Sequence, residues 1–392
     1  MSFLEKMLSS VAVLQKKHGI PIIIVVFMIT VFLALGIGKV EMQSDFTKEM
    51  PQDLPIMILN EKIQDTFSGQ DTVFVIFQLD DSIDARSIPR DIRSEESFSY
   101  LVKLEDSLTS NPIIESVTSP VTFIRSFPLD SDRGIKEALS NVPAANSFIS
   151  RDYKTMVMFI SADLGNSDKK INEMTELVEG TINDFSKPPG IKVMFTGNPP
   201  MRMLIFDLLG KDSIYTIILA SIIILILLSL MERSIPKALL IFTPLIIGLI
   251  WTMGTLGWLG IKISVATAGL GAMILGLGVE SGVFMYTRYH EEREKGKDQL
   301  ESLKVAVPGV GSAILGSGTT TIIGFLALTI SVMPMLQKLG ISLALGIFYC
   351  LVAAVFIEPV IITFEEKFHH WYTEKMTKRY SEKHSANKKK GM

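Results

Sequence analysis

Glu280 is the side chain with the most chemistry to offer. It stands in the apolar run 264–287. An ionisable side chain at the bilayer centre costs roughly 2.5–3.5 kcal/mol on insertion scales. Residues that carry such a cost sit on ion or proton paths. A carboxylate there can accept a proton from one side and release it to the other. Moving one elementary charge through a membrane potential yields about 2.3 kcal/mol per 100 mV, enough to bias a two-state bundle. Gly276, Gly278 and Gly282 flank the carboxylate and let neighbouring helices approach closely.

The next apolar run is thin, with glycines at 309, 311, 316, 318 and 324, and it brings Thr319, Thr320 and Thr321 to membrane depth. Thr319 and Thr320 are the candidate hydrogen-bond partners of Glu280, with Gly316 and Gly318 packing beside them. A threonine hydroxyl can instead bond back to its own helix backbone. Ser281 is a secondary candidate. So is Glu358, which precedes Pro359 in the last apolar run. For Glu358 a snorkelling surface role is expected ahead of a second step on the proton path. Cys350 is expected to pack as a small apolar residue. No metal site is expected, because His369 and His370 lack ligands at metal spacing. No phosphate-binding loop and no nucleophile–base arrangement is visible, so neither ATP nor enzymatic chemistry is expected, and no cofactor is implied.

These residues need helices to position them. The chain has 392 residues, 48% of them apolar, and a mean hydropathy of +0.36. Six runs are long enough to cross a bilayer as helices, at 20–38, 214–231, 238–256, 264–287, 306–330 and 339–363. The first is read as an uncleaved anchor, its apolar core being too long for a signal peptide. Lys and Arg set the orientation. The N-terminal segment, residues 233–237, the loop 288–304 and the tail carry 18 of them, against Lys262 and Lys338 in the two short loops on the other side. Both termini are therefore expected in the cytoplasm of a cell that holds this protein in its cytoplasmic membrane.

Five segments follow: a cytoplasmic amphipathic helix at 1–19, a first span at 20–38, an extracytoplasmic domain at 39–213, spans two to six at 214–363 and a basic tail at 364–392. Phe3, Leu4, Met7, Leu8, Val11 and Leu14 suit a helix lying on the inner membrane surface. Residues 41–212 hold 17 Lys and Arg against 28 Asp and Glu, an acidic balance that argues against nucleic acid as a partner. In that domain, strands are predicted at 71–79, 113–117, 155–163 and 191–197. Helices are predicted at 94–110 and 168–185, the second capped at Ser167 or Asp168. A loop rich in Pro and Ser lies between the halves. The order βαβ–βαβ is the split arrangement of ferredoxin-like domains. The fold class is thus an α-helical membrane protein with six transmembrane helices in a 1+5 plan. Its α+β extracytoplasmic domain lies between spans one and two.

Together these pieces resemble one half of a transporter of the resistance-nodulation-division superfamily, and in particular its MMPL-type branch, the exporters of hydrophobic and amphiphilic compounds. GLGVESGVFMYTRYHEER (276–293) is similar to that branch's fourth-span motif, in which Gly-Val-Asp-Tyr is followed by Arg-Tyr-Arg-Glu-Glu. GSAILGSGTTTIIGFLAL (311–328) and LGISLALGIFYCLVAAVFIEPVII (339–362) look like its fifth and sixth spans, and FTGNPPM (195–201) like the end of its porter domain. The motif's Asp is Glu280 here, its Tyr is Ser281 and a family His is Phe284, so the resemblance transfers the proton relay to Glu280 alone. It implies proton-driven efflux of a hydrophobic or amphiphilic small molecule, lipids included. Family members usually hold two halves, so it also implies a homodimer. Spans two to six resemble a sterol-sensing domain too. Two other readings stand beside this one: an accessory subunit of Sec protein translocation, and a lipid sensor or scaffold that transports nothing.

Overall fold

The computed structural model describes residues 3–43, 46–66, 71–80, 91–162, 164 and 168–367. The predicted cap Ser167, the histidines 369 and 370 and nearly all of the basic tail lie outside these residues. The described chain forms two compact units. One is Gln52–Leu208; the other takes the residues up to Pro51 and from Leu209 onward.

The chain starts with helix α1 (Phe3–Lys17) and the apolar helix α2 (Gly19–Ile37). The Gln52–Leu208 unit contains α3 (Pro55–Thr66), β1 (Asp71–Leu79), α4 (Glu95–Thr109), β2 (Ser116–Thr118), α5 (Pro120–Ile124), α6 (Asp132–Asn141), α7 (Pro143–Asn146), β3 (Thr155–Ala162), α8 (Asp168–Asp184) and β4 (Ile191–Gly197). The four strands form one antiparallel sheet in the order β2-β3-β1-β4. Alternation decides its faces. Val73, Val75, Phe77 and Leu79 of β1 and Met156, Met158, Ile160 and Ala162 of β3 turn inward. They meet Phe98, Leu101, Leu104 and Leu108 of α4 and Ile171, Met174, Val178 and Ile182 of α8. Those residues recur at three- and four-residue steps, which puts each set on one helical stripe. Tyr100 Oη donates to the Ile182 carbonyl at 2.8 Å and ties the two helices together. The α4 helix starts where the Ser94 hydroxyl accepts from the Ser97 N–H.

The stretch read as a Pro- and Ser-rich loop holds three short helices, α5 to α7. Its prolines and serines start helices there. Ser119 forms a capping box ahead of Pro120, Ser131 caps α6, and Pro143 opens α7.

Helix α9 (Asn198–Glu232) begins in this unit and ends in the other. Then come α10 (Ile235–Leu259), α11 (Leu270–Glu294), α12 (Gln299–Leu326) and α13 (Pro334–Lys367). Gly260 stops α10 at φ 66°, a left-handed conformation that a side chain would strain. Among the described residues six helices are long and apolar enough to cross a membrane: α2, α9, α10, α11, α12 and α13.

The bundle packs through small residues, as expected where lipid is as apolar as the side chains. A Cβ on Gly36 of α2 would run into the backbone of Gly254, and one on Gly257 into the carbonyl of Gly36. Trp251 Nε1 donates to Thr30 Oγ1 at 2.9 Å across the same seam. Helix α1 is docked protein-side on this bundle. Leu8, Ala12 and Gln15 are buried, and Leu8 packs over Gly311 of α12.

Candidate functional site

Glu280 lies near mid-length of α11. Its side chain is on the exposed face of the chain, and among the described residues nothing hydrogen-bonds or ion-pairs with it. The exposed stripe of α11 runs through Met273, Gly276, Leu277, Glu280 and Phe284 at three- and four-residue spacing. Neighbouring α12 exposes Gly309, Gly316, Thr319, Thr320 and Ile323. A Cβ on Gly276, Gly309 or Gly316 would meet only open space.

The opposite faces of the same helices are closed. A Cβ on Gly278 would come within 2.9 Å of Cys350 Sγ, and one on Gly282 within 2.8 Å of the Ile241 carbonyl. Gly318 lies against the Leu351 side chain. The five glycines singled out from the sequence therefore divide: Gly278, Gly282 and Gly318 pack the bundle, while Gly276 and Gly316 share the open faces with Glu280. Ser281 is turned inward and buried.

The expected threonine partnership is not made. Thr319 Oγ1 donates to the Leu315 carbonyl and Thr320 Oγ1 to the Ser317 carbonyl, each at 2.6 Å. Both hydroxyls bond back to their own helix, because a carbonyl one turn earlier is within reach whatever the neighbouring helix does.

Glu358 corrects the surface expectation. It is fully buried, and neither carboxylate oxygen has a hydrogen-bond partner. It follows a stretch, Ala353–Ile357, where α13 widens to π winding. Gln15 Nε2 of α1 donates there to the carbonyls of Val355 at 3.0 Å and Phe356 at 3.1 Å. Sequence reasoning missed Gln15, although Leu8, Ala12 and Gln15 follow a helical spacing that puts a polar amide on the apolar stripe.

One end of the bundle is clamped by charge. Glu366 accepts from Gln299 Nε2 at 2.7 Å, Tyr289 Oη at 3.1 Å and Arg293 Nε at 3.2 Å. Buried Glu292 pairs with Lys295 at 2.7 Å, Arg288 at 3.2 Å and Lys297. Two concavities could hold apolar matter. A groove of about 630 Å³ is lined by Ile20, Ile24, Phe27, Ile247, Ile361 and Phe364. A pocket of about 370 Å³ in the sheet unit is lined by Phe195, Met201 and Leu204 together with Glu179 and Asp207.

The MMPL family model matches residues 51–385 of this chain. The chain belongs to the MMPL family. A chain of Methanocaldococcus jannaschii named only as a membrane protein is 33% identical over 371 residues, which cover 93% of this chain and 95% of that one. The siderophore exporter MmpL5 of Mycobacterium tuberculosis is 30% identical over 213 residues, 52% of this chain and 22% of MmpL5. The chain thus spans about a fifth of that relative and nearly all of the archaeal one. With six helices among the described residues long and apolar enough to cross a membrane, and with this family, the chain is a multi-pass membrane protein.

Proposed function

We propose that this MMPL-family chain is a proton-motive-force-driven exporter of hydrophobic or amphiphilic compounds, lipids included, across the cytoplasmic membrane. The observation that carries the proposal is the place of Glu280: a carboxylate near mid-length of α11, uncovered in the single chain on the same exposed stripe as the open Gly276. Left against lipid it would carry the full cost of a membrane-depth charge. A second copy of the chain would cover it, and Gly276 and Gly316 would let the two copies approach closely. The exporter acts as a homodimer in which the two Glu280 faces meet. Protonation and release at Glu280 would alternate the faces between two packings.

The sheet unit serves as the extracytoplasmic porter domain of a 1+5 plan. The strand order β2-β3-β1-β4 is the one a split βαβ repeat produces, which supports the ferredoxin-like reading. A largely apolar lining that also includes two carboxylates suits an amphiphile better than a polypeptide. Both termini face the cytoplasm under this reading.

The test is flux. The full chain is reconstituted in liposomes with a pH-sensitive dye, a membrane potential is imposed, and a panel of lipids and amphiphiles is added to wild type and Glu280→Gln. Substrate-stimulated proton flux that vanishes in the variant supports the exporter. Equal behaviour of the two proteins with every compound sinks it and favours a sensor or scaffold.

A further inference from the structure

Glu280 does not exhaust the membrane carboxylates. Glu358 is enclosed by the chain's own helices, and both of its oxygens lack a partner. Gln15 Oε1, on the amide that bridges to the π stretch, is likewise buried and unpartnered. An ionised carboxylate held this way would be an uncompensated buried charge. A buried group in that position neutralises instead.

Among the described residues no cation pairs with this carboxylate. Helix α2 has no ionisable residue, and α10 has only Lys237, whose Nζ lies 3.3 Å from His290 Nε2. On α1, Lys16 Nζ is engaged by Gln299. Helix α11 brings Tyr286 within electrostatic range, and its cations Arg288 and Arg293 are bound to Glu291, Glu292 and Glu366. On α13 itself the charged side chains after Glu358 are Glu365 and Glu366, which are acids too, and Lys367, nine residues on at the end of the described helix. A metal ion would need several converging ligands, and among the described residues no group of three or more His, Cys, Asp or Glu could hold one. Local π winding recurs at functional sites, where it redirects side chains and frees carbonyls. Here the freed carbonyls are taken by Gln15, so the N-terminal helix seals the segment.

We propose that Glu358 is a second protonation site, occupied by a proton in this conformation and closed off by the contact of Gln15 with the π stretch of α13. The site does not rest on the export reading, because a bound proton is detectable whether or not anything is transported.

Infrared spectra of the full chain in liposomes test it. At neutral pH wild type should show the C=O band of a protonated carboxyl, with slow deuterium exchange. Glu358→Gln should lose that band and Glu280→Gln should keep it. Glu358→Gln mimics the neutral acid, so its Tm should equal or exceed that of wild type. Gln15→Leu should retain the band and exchange it faster. No such band in wild type, or its persistence in Glu358→Gln, overturns the site. An unaltered exchange rate in Gln15→Leu overturns the seal. Should Glu358→Gln fail to accumulate, the site is rejected as a neutral acid, and a slow-exchanging band in wild type would then belong to another residue.

Discussion

Glu280 and Glu358 are both carboxylates in apolar helices, and the fold gives them opposite surroundings. Glu280 points out of the chain from α11, beside glycines with open space over them. Glu358 points in, behind a helix segment that α1 has sealed. The difference separates what one copy of the chain can complete from what it leaves open. The inward carboxyl has its final environment already. The outward one requires either lipid, which is costly for a charge, or another protein surface. The two faces of α12 repeat the contrast with glycine alone: Gly318 is packed and Gly316 is bare.

The sharpest way to break the comparison is Glu280→Gln. It should abolish substrate-stimulated proton flux while leaving the melting transition of the detergent-solubilised chain within about 0.5 kcal/mol of wild type, as for other exposed substitutions. A variant that loses flux only because it unfolds would show that Glu280 is structural.

The glycine pair gives the next largest effect. Gly318→Leu drives a side chain into Leu351 and should destabilise the chain by about 1–3 kcal/mol. Gly316→Leu should leave the single chain's stability nearly unchanged and instead lower the dimer fraction measured by cross-linking in liposomes. Equal destabilisation by the two would erase the distinction between the packed and open faces.

A third carboxylate, in the sheet unit, supplies a fully compensated reference. Asp91 is partly buried, which by itself would raise its pKa. Hydrogen bonds from Arg93 and Lys136 outweigh that and hold it down at about 2. Arg93 binds it with three bonds, from Nε at 2.9 Å, Nη2 at 2.8 Å and the backbone N–H at 3.0 Å, and Lys136 Nζ lies 3.2 Å away. A carboxyl whose folded pKa lies below its ordinary value stabilises the fold above that ordinary value, and the contribution is lost as pH falls through the folded pKa. Wild-type Tm should therefore drop more steeply than that of Asp91→Asn as pH falls from about 4 to about 2. Parallel curves would mean that the ion pair contributes nothing. The smallest effect belongs to Thr319→Val with Thr320→Val. Both hydroxyls bond only to their own backbone, so stability should change by less than about 0.5 kcal/mol.

Much of the architecture was legible in the residues. Six apolar runs mark the six described helices that are long and apolar enough to cross a membrane, because a bilayer demands about 20 apolar residues of helix wherever it is crossed. The strands of the sheet unit showed as β-branched and aromatic runs, and β1 and β4 keep the ends read from sequence. The helices between β2 and β3 were hidden, since Pro and Ser mark helix starts as readily as loops.

The chemistry at single residues divided in the same way. The sequence by itself placed Glu280 inside an apolar run long enough to cross a membrane, since that follows from position along the run. The tertiary structure alone decided which way each group faces. Burial depends on rotation about the helix axis and on which neighbour packs there, and an all-apolar helix carries no polar stripe to reveal either. Glu358 near the end of a span therefore reads as a snorkelling residue until α1 and the π stretch of α13 are seen to enclose it.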